Sequence, residues 1–347
     1  MAADTTGEAV VTRTIHNRPM RVVALPDKLR GTASATEVAS AIARGAALGG
    51  WACEQIPLAD GGEGTLEAFG GANRVTTVSD PLGRDVVAPW QLNGERAVIE
   101  MAQASGLALV EVNDPIAAST LGTGQLIAAA VAAGSRRIIV GLGGSATTDG
   151  GFGALRALEP LDRLREIELV VACDVTTRFV DTARLFSPQK GATPEQVELL
   201  HRRLVRLASH YERRYGIAVG EVPGSGAAGG LAGGLLCAGA RLVPGFDLVA
   251  SELGVEQRVR GADLLVTAEG LLDRHSFDGK VVGAVHRLGT RYRIPVLAVV
   301  GRVREETVVP RGMTVVSLVE EFGEGRAVAR TEECIERAVA SRLMAYR

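Results

Sequence analysis

Short runs of consecutive apolar residues, mostly β-branched, recur along the chain. Runs without alternating polar positions are typical of strands buried on both faces of a parallel sheet. They predict strands at residues 21–25, 97–101, 137–142, 168–172, 263–267, 295–300 and 314–319.

Segments with helical periodicity lie between several of these runs, at residues 36–49, 124–133, 194–214, 248–260, 281–291 and 331–344. The clearest is 194–214, which has Thr193 as its N-cap, Pro194 at its first position and Gly216 after its end. Strands that alternate with helices predict an α/β fold with largely parallel sheets.

The length of 347 residues is enough for about two domains. The turn at residues 80–83 indicates a crossing into a second domain, and the stretch 279–289 a return. The predicted organisation is a flexible tail at 1–19, a discontinuous first domain at 20–82 and 286–347, and an inserted α/β domain at 83–285.

Composition narrows the class of partner. The chain has 38 Lys and Arg against 40 Asp and Glu, a net charge of -2, which indicates neither a nucleic-acid nor a membrane partner. No signal-peptide pattern and no apolar run of about 18 residues are present, and the four cysteines form no C-x-x-C motif. We therefore expect a cytoplasmic protein that acts on a small molecule, and homo-oligomers remain open.

The 43 glycines gather in short clusters, several of which follow predicted strands. Residues 59–65 (Ala-Asp-Gly-Gly-Glu-Gly-Thr) can turn sharply and direct N–H groups at an anion. Asp60 is a candidate to orient a hydroxyl or hold a cation. A glycine-rich turn with a carboxylate cap is the alternative.

A second cluster, residues 141–151, directly follows a predicted strand, where open α/β sheets place their ligands. Its backbone and hydroxyl donors predict an anion-binding loop, and the candidates are Gly143, Gly144, Ser145 and Thr147. Asp149 is a candidate general base or metal ligand. The loop also matches G-x-G-x-x-A, so a dinucleotide site is an alternative, although further glycines interrupt the helix that such a site requires.

Later segments add two charged groups and a further glycine cluster. Asp174 ends a predicted strand and could meet Mg²⁺ or a hydroxyl, and Lys190 precedes a helix where it could reach a phosphate. Capping and surface roles are the alternative for both. The segment 223–234, which contains Gly224 and Gly226, lies close either to a neighbouring element or to a triphosphate.

The last segment, residues 267–280, follows another predicted strand. Glu269 and Lys280 are candidates for binding the nucleotide, and Asp273 is a candidate metal ligand. His275 is interpreted as a solvated loop residue, because no second histidine lies at metal-ligand spacing.

Hydroxyl, carboxylate, glycine and lysine recur across these loops, which is the combination that phosphoryl transfer from ATP with Mg²⁺ requires. The sequence contains no G-x-x-x-x-G-K-[ST] motif and no protein-kinase signature set. A small-molecule kinase outside those two classes is the favoured interpretation.

Five stretches, in this order, resemble the type I glycerate kinase family: residues 58–65, 99–107, 141–151, 188–192 and 223–230. The resemblance extends from about residue 21 to residue 303. It implies a flavodoxin-like domain interrupted by a second, dissimilar α/β domain. It also implies phosphorylation of D-glycerate or a related hydroxy acid with ATP and Mg²⁺, by family expectation at the 2-hydroxyl.

Within that resemblance, Asp149 and Asp174 are the leading candidates for the general base, and Asp60 is the third. Lys190 and Lys280 are expected to contact phosphate or the substrate carboxylate. The loops around Ser145 and Gly226 are expected to surround the anions.

Several positions depart from the family pattern. Arg30 stands where the family has lysine, and Ala268 replaces a glycine; Thr177, Arg178 and His275 also differ. These differences keep open a non-catalytic or altered-substrate relative that binds a nucleotide or metabolite. A dinucleotide oxidoreductase is the third hypothesis.

Overall fold

The computed structural model describes residues 20–277 and 280–344. The predicted tail at 1–19 and Gly279 lie outside the described residues. Among the described helices, none combines the length and apolar character that a membrane crossing requires.

The described strands are β1 Arg21–Ala24, β2 Ala52–Gln55, β3 Arg74–Ser79, β4 Asp85–Asn93, β5 Arg96–Glu100, β6 Arg137–Gly141, β7 Glu168–Ala172, β8 Arg241–Val243, β9 Leu264–Leu272, β10 Val296–Val303 and β11 Met313–Ser317. The described α-helices are α1 Ala35–Leu48, α2 Thr65–Ala68, α3 Ala102–Ser105, α4 Leu121–Ala132, α5 Phe152–Leu158, α6 Thr182–Phe186, α7 Pro194–Tyr215, α8 Leu231–Cys237, α9 Gly245–Glu252, α10 Val255–Val259, α11 Val281–Tyr292, α12 Leu318–Phe322, α13 Glu324–Ala329 and α14 Thr331–Met344.

The first sheet has five parallel strands in the order β11-β10-β9-β1-β2. Counted along the chain, this is the 2-1-3-4-5 order of the flavodoxin-like fold. The predicted flavodoxin-like topology is therefore confirmed for this sheet.

The second sheet has the order β3-β4-β5-β6-β7-β8. Strands β5 to β8 are parallel, but β3, β4 and β5 pair antiparallel. The pattern of fully buried runs did not predict β3 and β4, because several of their side chains face solvent.

The strands of each sheet show that the chain crosses between the two units at other points than the two predicted ones. The turn at residues 80–83 is the hairpin turn between β3 and β4, closed by a hydrogen bond of 3.1 Å from Gly83 N to Asp80 O. Strand β9 belongs to the first sheet, and helix α11 packs against that sheet. The predicted insertion, which extended to residue 285, is therefore too long. The chain passes to the second sheet between β2 and β3 and returns between β8 and β9.

The two sheets share one layer of helices. Val98 and Ile139 of the second sheet and Leu265 and Ala298 of the first belong to a single buried cluster with residues of α2, α9, α10 and α11. Helices α1 and α14 cover the outer face of the first sheet, while α4, α5, α7 and α8 cover that of the second. The two α/β units are therefore held together by a common core.

Local signals account for the ends of α7. The Thr193 hydroxyl accepts a hydrogen bond from Gln196 N in a capping box, and Gly216 ends the helix with φ of 74°. The predicted helix at 248–260 is instead two helices, because Gly254 between α9 and α10 has φ of 63°.

Candidate active site

A cleft of about 650 Å³ lies where loops from the carboxyl ends of the parallel strands of both sheets meet. This is the edge at which open α/β sheets bind ligands. Its lining includes Lys28, Arg30, Asp60, Gly61, Gly62, Glu63, Gly143, Gly144, Ser145, Cys173, Asp174, Gln189, Lys190, Ala227, Ala228 and Gly229.

The floor of the cleft is a close contact between two glycine-rich loops. Leu142 N, which follows β6, donates a 3.0 Å hydrogen bond to Gly61 O, which follows β2. A Cβ on Gly143 would lie 2.6 Å from the Cα of Gly62, so a side chain there would force the loops apart. The two segments predicted to bind ligands therefore touch through their backbones.

The loop after β6 presents Gly143, Gly144 and Ser145 to the cleft. Leu107 N donates to Gly144 O over 2.8 Å, which fixes the loop from behind. Helix α5 begins only at Phe152, whereas a dinucleotide-binding turn runs directly into its helix. The geometry favours an anion-binding loop over the dinucleotide alternative.

Lys190 lies beneath this loop and is only 5% exposed. Its Nζ donates to Thr147 O over 2.6 Å and lies 3.3 Å from Ser145 Oγ. Burial lowers the pKa of Lys190 to about 8, against the opposing effect of the Asp149 charge. The lysine thus places a positive charge next to the loop. Thr147 itself is buried, so it supports the loop through its carbonyl and through a 3.1 Å contact of its hydroxyl with Ser145 Oγ.

Asp149, the predicted general base or metal ligand, is not among the residues that line the cleft. One of its carboxylate oxygens, Oδ2, accepts hydrogen bonds from Thr120 N at 2.9 Å and Gly153 N at 3.1 Å, and the other accepts from Gly151 N at 3.0 Å. Thr120 Oγ1 adds a bond of 2.8 Å. Asp149 thus joins the starts of α4 and α5, and its oxygens are already occupied by donors of the chain.

Asp174 faces the cleft at the end of β7. Shielding from water by the cleft walls raises its pKa to about 6, despite a 2.8 Å hydrogen bond from Gly245 N to Oδ1. The nearby negative charges of Asp60 and Asp247 act in the same direction as the shielding. Asp60 lines the same cleft, and its Oδ1 accepts from Gly62 N over 3.0 Å.

The segment 223–234 reaches the cleft through Ala227, Ala228 and Gly229, rather than through the predicted Gly224 and Gly226. A Cβ on Gly224 would lie 3.0 Å from the sulfur of Cys173, and one on Gly226 would lie 2.4 Å from Arg178 O. These two glycines therefore permit close packing between chain segments.

The late motif adjoins the cleft without lining it: Glu269 lies near Asp27, and Lys280 lies near Asp60. Lys280 Nζ donates to Glu269 Oε1 over 2.8 Å. Burial lowers the pKa of Lys280, but Glu269 and the charges of Asp273 and Asp60 raise it by more. Asp273 Oδ1 accepts from Ser276 N at 3.1 Å, so the side chain of this predicted metal ligand stabilises a turn.

Asp27 is a candidate that the sequence interpretation did not select. It follows β1 and lines a second cavity of about 520 Å³, which adjoins the cleft. Burial raises its pKa to about 6, although Lys28 opposes the shift; Asp60 and Glu269 add to it. The available signal was its position after a strand at the point where the strand order of the first sheet reverses.

No group of three or more His, Cys, Asp or Glu side chains among residues 20–277 and 280–344 is arranged to hold a metal ion. Of the two predicted metal ligands, Asp174 lines the cleft, whereas Asp273 is not among its lining residues. Mg²⁺, however, is commonly bound by one or two carboxylates together with substrate phosphates. Asp60 and Asp174, on one cleft, fit that type of donor set.

Comparison with known proteins gives a consistent result. The model of the family described as "Glycerate kinase family" matches residues 22–161 and 159–346. Glycerate 2-kinase of Escherichia coli K12 is 36% identical over 83% of this chain and 86% of its own length. Glycerate kinase of Halalkalibacterium halodurans is 37% identical over 81% of this chain and 85% of its own.

The fold comparison agrees with the sequences. A crystal structure from Salmonella typhimurium LT2, of a protein assigned as glycerate kinase 2, has a TM-score of 0.82 and 34% sequence identity. The match covers 94% of this chain and 98% of the other. The likeness therefore includes both sheets and the cleft between them.

Proposed function

The chain belongs to the glycerate kinase family, and from this premise we propose that its cleft transfers the γ-phosphoryl group of ATP to the 2-hydroxyl of D-glycerate. The products are ADP and 2-phosphoglycerate. The observation that supports this most directly is the arrangement of the glycine-lined loop 143–145, the buried Lys190 and the carboxylate of Asp174 around a single cleft.

The loop and the lysine supply what the phosphates need. N–H groups fixed in the backbone stabilise negative charge without reorganising during the reaction. Lys190 adds a positive charge, because its pKa of about 8 keeps the amine largely protonated at neutral pH. We therefore assign the polyphosphate to Gly143, Gly144 and Ser145, with Lys190 behind them.

Asp60 is proposed to hold the magnesium ion that accompanies ATP. Mg²⁺ neutralises charge on the phosphates and helps to orient them. Asp174, the second carboxylate on the cleft, is assigned a different role, because a cation bound to it would lower the pKa on which that role depends.

Asp174 is proposed to accept the proton of the attacking hydroxyl. The 2-oxygen of glycerate forms a bond with the γ-phosphorus, the bond from that phosphorus to the β,γ-bridging oxygen breaks, and ADP leaves with the bond electrons. A base is most effective when its pKa lies near the working pH. The pKa of Asp174, about 6, meets this condition.

We further propose a cytoplasmic location. ATP, the proposed phosphoryl donor, is a cytoplasmic metabolite. The four cysteines of the chain are free thiols: Cys53, Cys173, Cys237 and Cys334. Disulfide bonds are uncommon in that compartment.

The experiment that tests the function is ADP release by the purified protein with ATP, Mg²⁺ and D-glycerate. L-Glycerate, tartronate and a reaction without acceptor are the controls, and the product is identified by NMR. We expect turnover that depends on D-glycerate and yields 2-phosphoglycerate. Formation of 3-phosphoglycerate would overturn the assigned hydroxyl, and release that is independent of any acceptor would overturn the kinase assignment.

A further inference from the structure

A tight loop between β1 and α1 holds Arg30 at the rim of the cleft. Leu29 N donates to Ala33 O over 2.9 Å, and Ala33 N donates back to Leu29 O over 3.0 Å. Thr32 Oγ1 adds a 3.0 Å bond to the same carbonyl. The backbone of residues 29–33 is thus fixed, while the Arg30 side chain is exposed.

Arg30 lies on the boundary between the two cavities. The main cleft and the adjoining cavity of about 520 Å³ have three lining residues in common, which are Lys28, Arg30 and Glu63. Lys28 is already engaged, since its Nζ donates to Glu63 O and lies 3.9 Å from Asp27 Oδ1. Within the described part of the chain, the Arg30 guanidinium has no hydrogen bond or ion pair.

The two other lysines at the site are engaged as well. Lys190 donates to Thr147 O, and Lys280 pairs with Glu269. Among the described cations that line the cleft, Arg30 is therefore the one with all its donors available to a ligand.

We propose that Arg30 binds the carboxylate of the acceptor acid and makes the enzyme select acids over neutral polyols. This inference rests on the proposed function. The planar guanidinium matches the two oxygens of a carboxylate with two parallel hydrogen bonds, which an ammonium group cannot reproduce. The phosphates have their own donors on the facing loop at residues 143–145, so the acid is the ligand left for Arg30.

The kinetic test compares the wild type with Arg30→Gln and Arg30→Lys, and with Arg206→Gln on the exposed face of α7 as the matched control. We expect Arg30→Gln to raise KM for D-glycerate about 10- to 100-fold, the usual effect of losing a charge-assisted hydrogen-bonded pair. KM for ATP should stay within about twofold. Arg30→Lys should lie between the wild type and Arg30→Gln, and Arg206→Gln should match the wild type. The preference for D-glycerate over glycerol should fall in Arg30→Gln by the same factor as its kcat/KM for D-glycerate.

A rise in KM for ATP with KM for D-glycerate unchanged would assign Arg30 to phosphate and overturn the proposal. Unchanged values for both ligands would also overturn it. Titration of D-glycerate into each protein by calorimetry, without ATP, measures binding of the acid directly and needs no turnover. It therefore tests the role of Arg30 even if the protein proves not to be a glycerate kinase. Weaker binding to Arg30→Gln than to the wild type supports the proposal, whereas equal binding, or no binding to the wild type, contradicts it.

Discussion

The two sides of the cleft are built in different ways. The second-sheet wall, formed by residues 142–145, 172–175, 186, 189, 190 and 227–229, contains much backbone and the buried Lys190, with exposed side chains at Asp174, Val175 and Gln189. The first-sheet wall of the cleft and of the adjoining cavity, formed by residues 27–31 and 60–64, carries more charged side chains. Arg30 and Glu63 are exposed there, and Asp27 has a raised pKa.

This difference matches the two kinds of ligand in the proposed reaction. A phosphate is the same in every turnover and can be met by fixed N–H groups, which need no side-chain ordering. The acceptor acid is what distinguishes one small-molecule kinase from another, and exposed side chains can be exchanged at little cost to the fold. The comparison therefore indicates that substrate choice is located on the first-sheet wall.

The largest expected effect comes from the one carboxylate of the second-sheet wall that faces the cleft. Asp174→Asn should lower kcat by about 100-fold or more, because the proton acceptor is lost. The exposed neighbour Asp247 provides the matched control, since it contributes charge but does not line the cleft. Asp247→Asn should retain kcat within about threefold, measured by ADP release. Equal losses in the two variants would contradict the assignment.

The same assignment predicts a pH profile. In the wild type, kcat/KM should rise as pH increases through about 6, where Asp174 loses its proton. Asp247→Asn should move this limb to lower pH, because the negative charge of Asp247 raises the pKa of Asp174. A limb that stays in place would show that another group controls it.

The rigidity of the second-sheet wall is tested at Gly229. This residue has φ of 66°, and a Cβ there would lie 1.9 Å from Thr147 O. Gly229→Ala should reduce the free energy of unfolding by about 3 kcal/mol or more, measured by urea denaturation. Gly134→Ala is the control, because Gly134 has φ of 90° with no atom within 4 Å. Its loss should be about 1–2 kcal/mol, and equal losses would mean that the contact with Thr147 is unimportant.

Substitution of Asp149 should lower the stability of the fold more than the rate of catalysis. Asp149→Asn places an NH₂ group where the carboxylate now accepts from Thr120 N, Gly151 N and Gly153 N. We expect a loss of about 1–3 kcal/mol in the free energy of unfolding. The kcat of the folded variant should fall by less than tenfold. A loss as large as that of Asp174→Asn, in a protein of normal stability, would restore Asp149 as the base.

The last expected effect, similar in size to that of Asp149→Asn but opposite in sign, is at Asp27 on the first-sheet wall. The pKa of Asp27 is raised from 3.8 to about 6, so its ionisation costs free energy that is absent below about pH 4 and complete above about pH 6. Asp27→Asn should therefore exceed the wild type in stability at pH 8 by about 1–3 kcal/mol. The difference should shrink toward pH 4 in urea denaturation followed across that range. A difference independent of pH would exclude this origin.

The fold was predictable where both faces of an element are buried. Strands β6 and β7 appear in the sequence as unbroken apolar runs, since each is covered on both sides. Strand β2 was not predicted, because its four residues include Glu54 and Gln55 and none of the four is buried. Strand β11 also lies at an edge of the first sheet but was predicted, since three of its five residues are buried. Burial produces an apolar run in the sequence, whereas strand pairing alone does not.

The site was predictable as a set of loops but less so as a set of roles. The sequence correctly placed Asp149 and Asp174 in segments that follow strands, and Lys190 in a segment that precedes a helix. It could not indicate that backbone N–H groups occupy the oxygens of Asp149, since these donors come from residues up to 29 positions away. Asp27 was not selected for the related reason that burial, which raises its pKa, depends on how distant parts of the chain pack around it, and the added charges of Asp60 and Glu269 are also distant in sequence.

The double passage of the chain between the sheets has a mechanical consequence. Because the peptide leaves the first sheet between β2 and β3 and returns between β8 and β9, two tethers connect the units. Two tethers and the buried cluster that both sheets share oppose separation of the units. The contact of Leu142 N with Gly61 O at the floor of the cleft is therefore held from both sides. We accordingly expect the two units to unfold together as one cooperative unit.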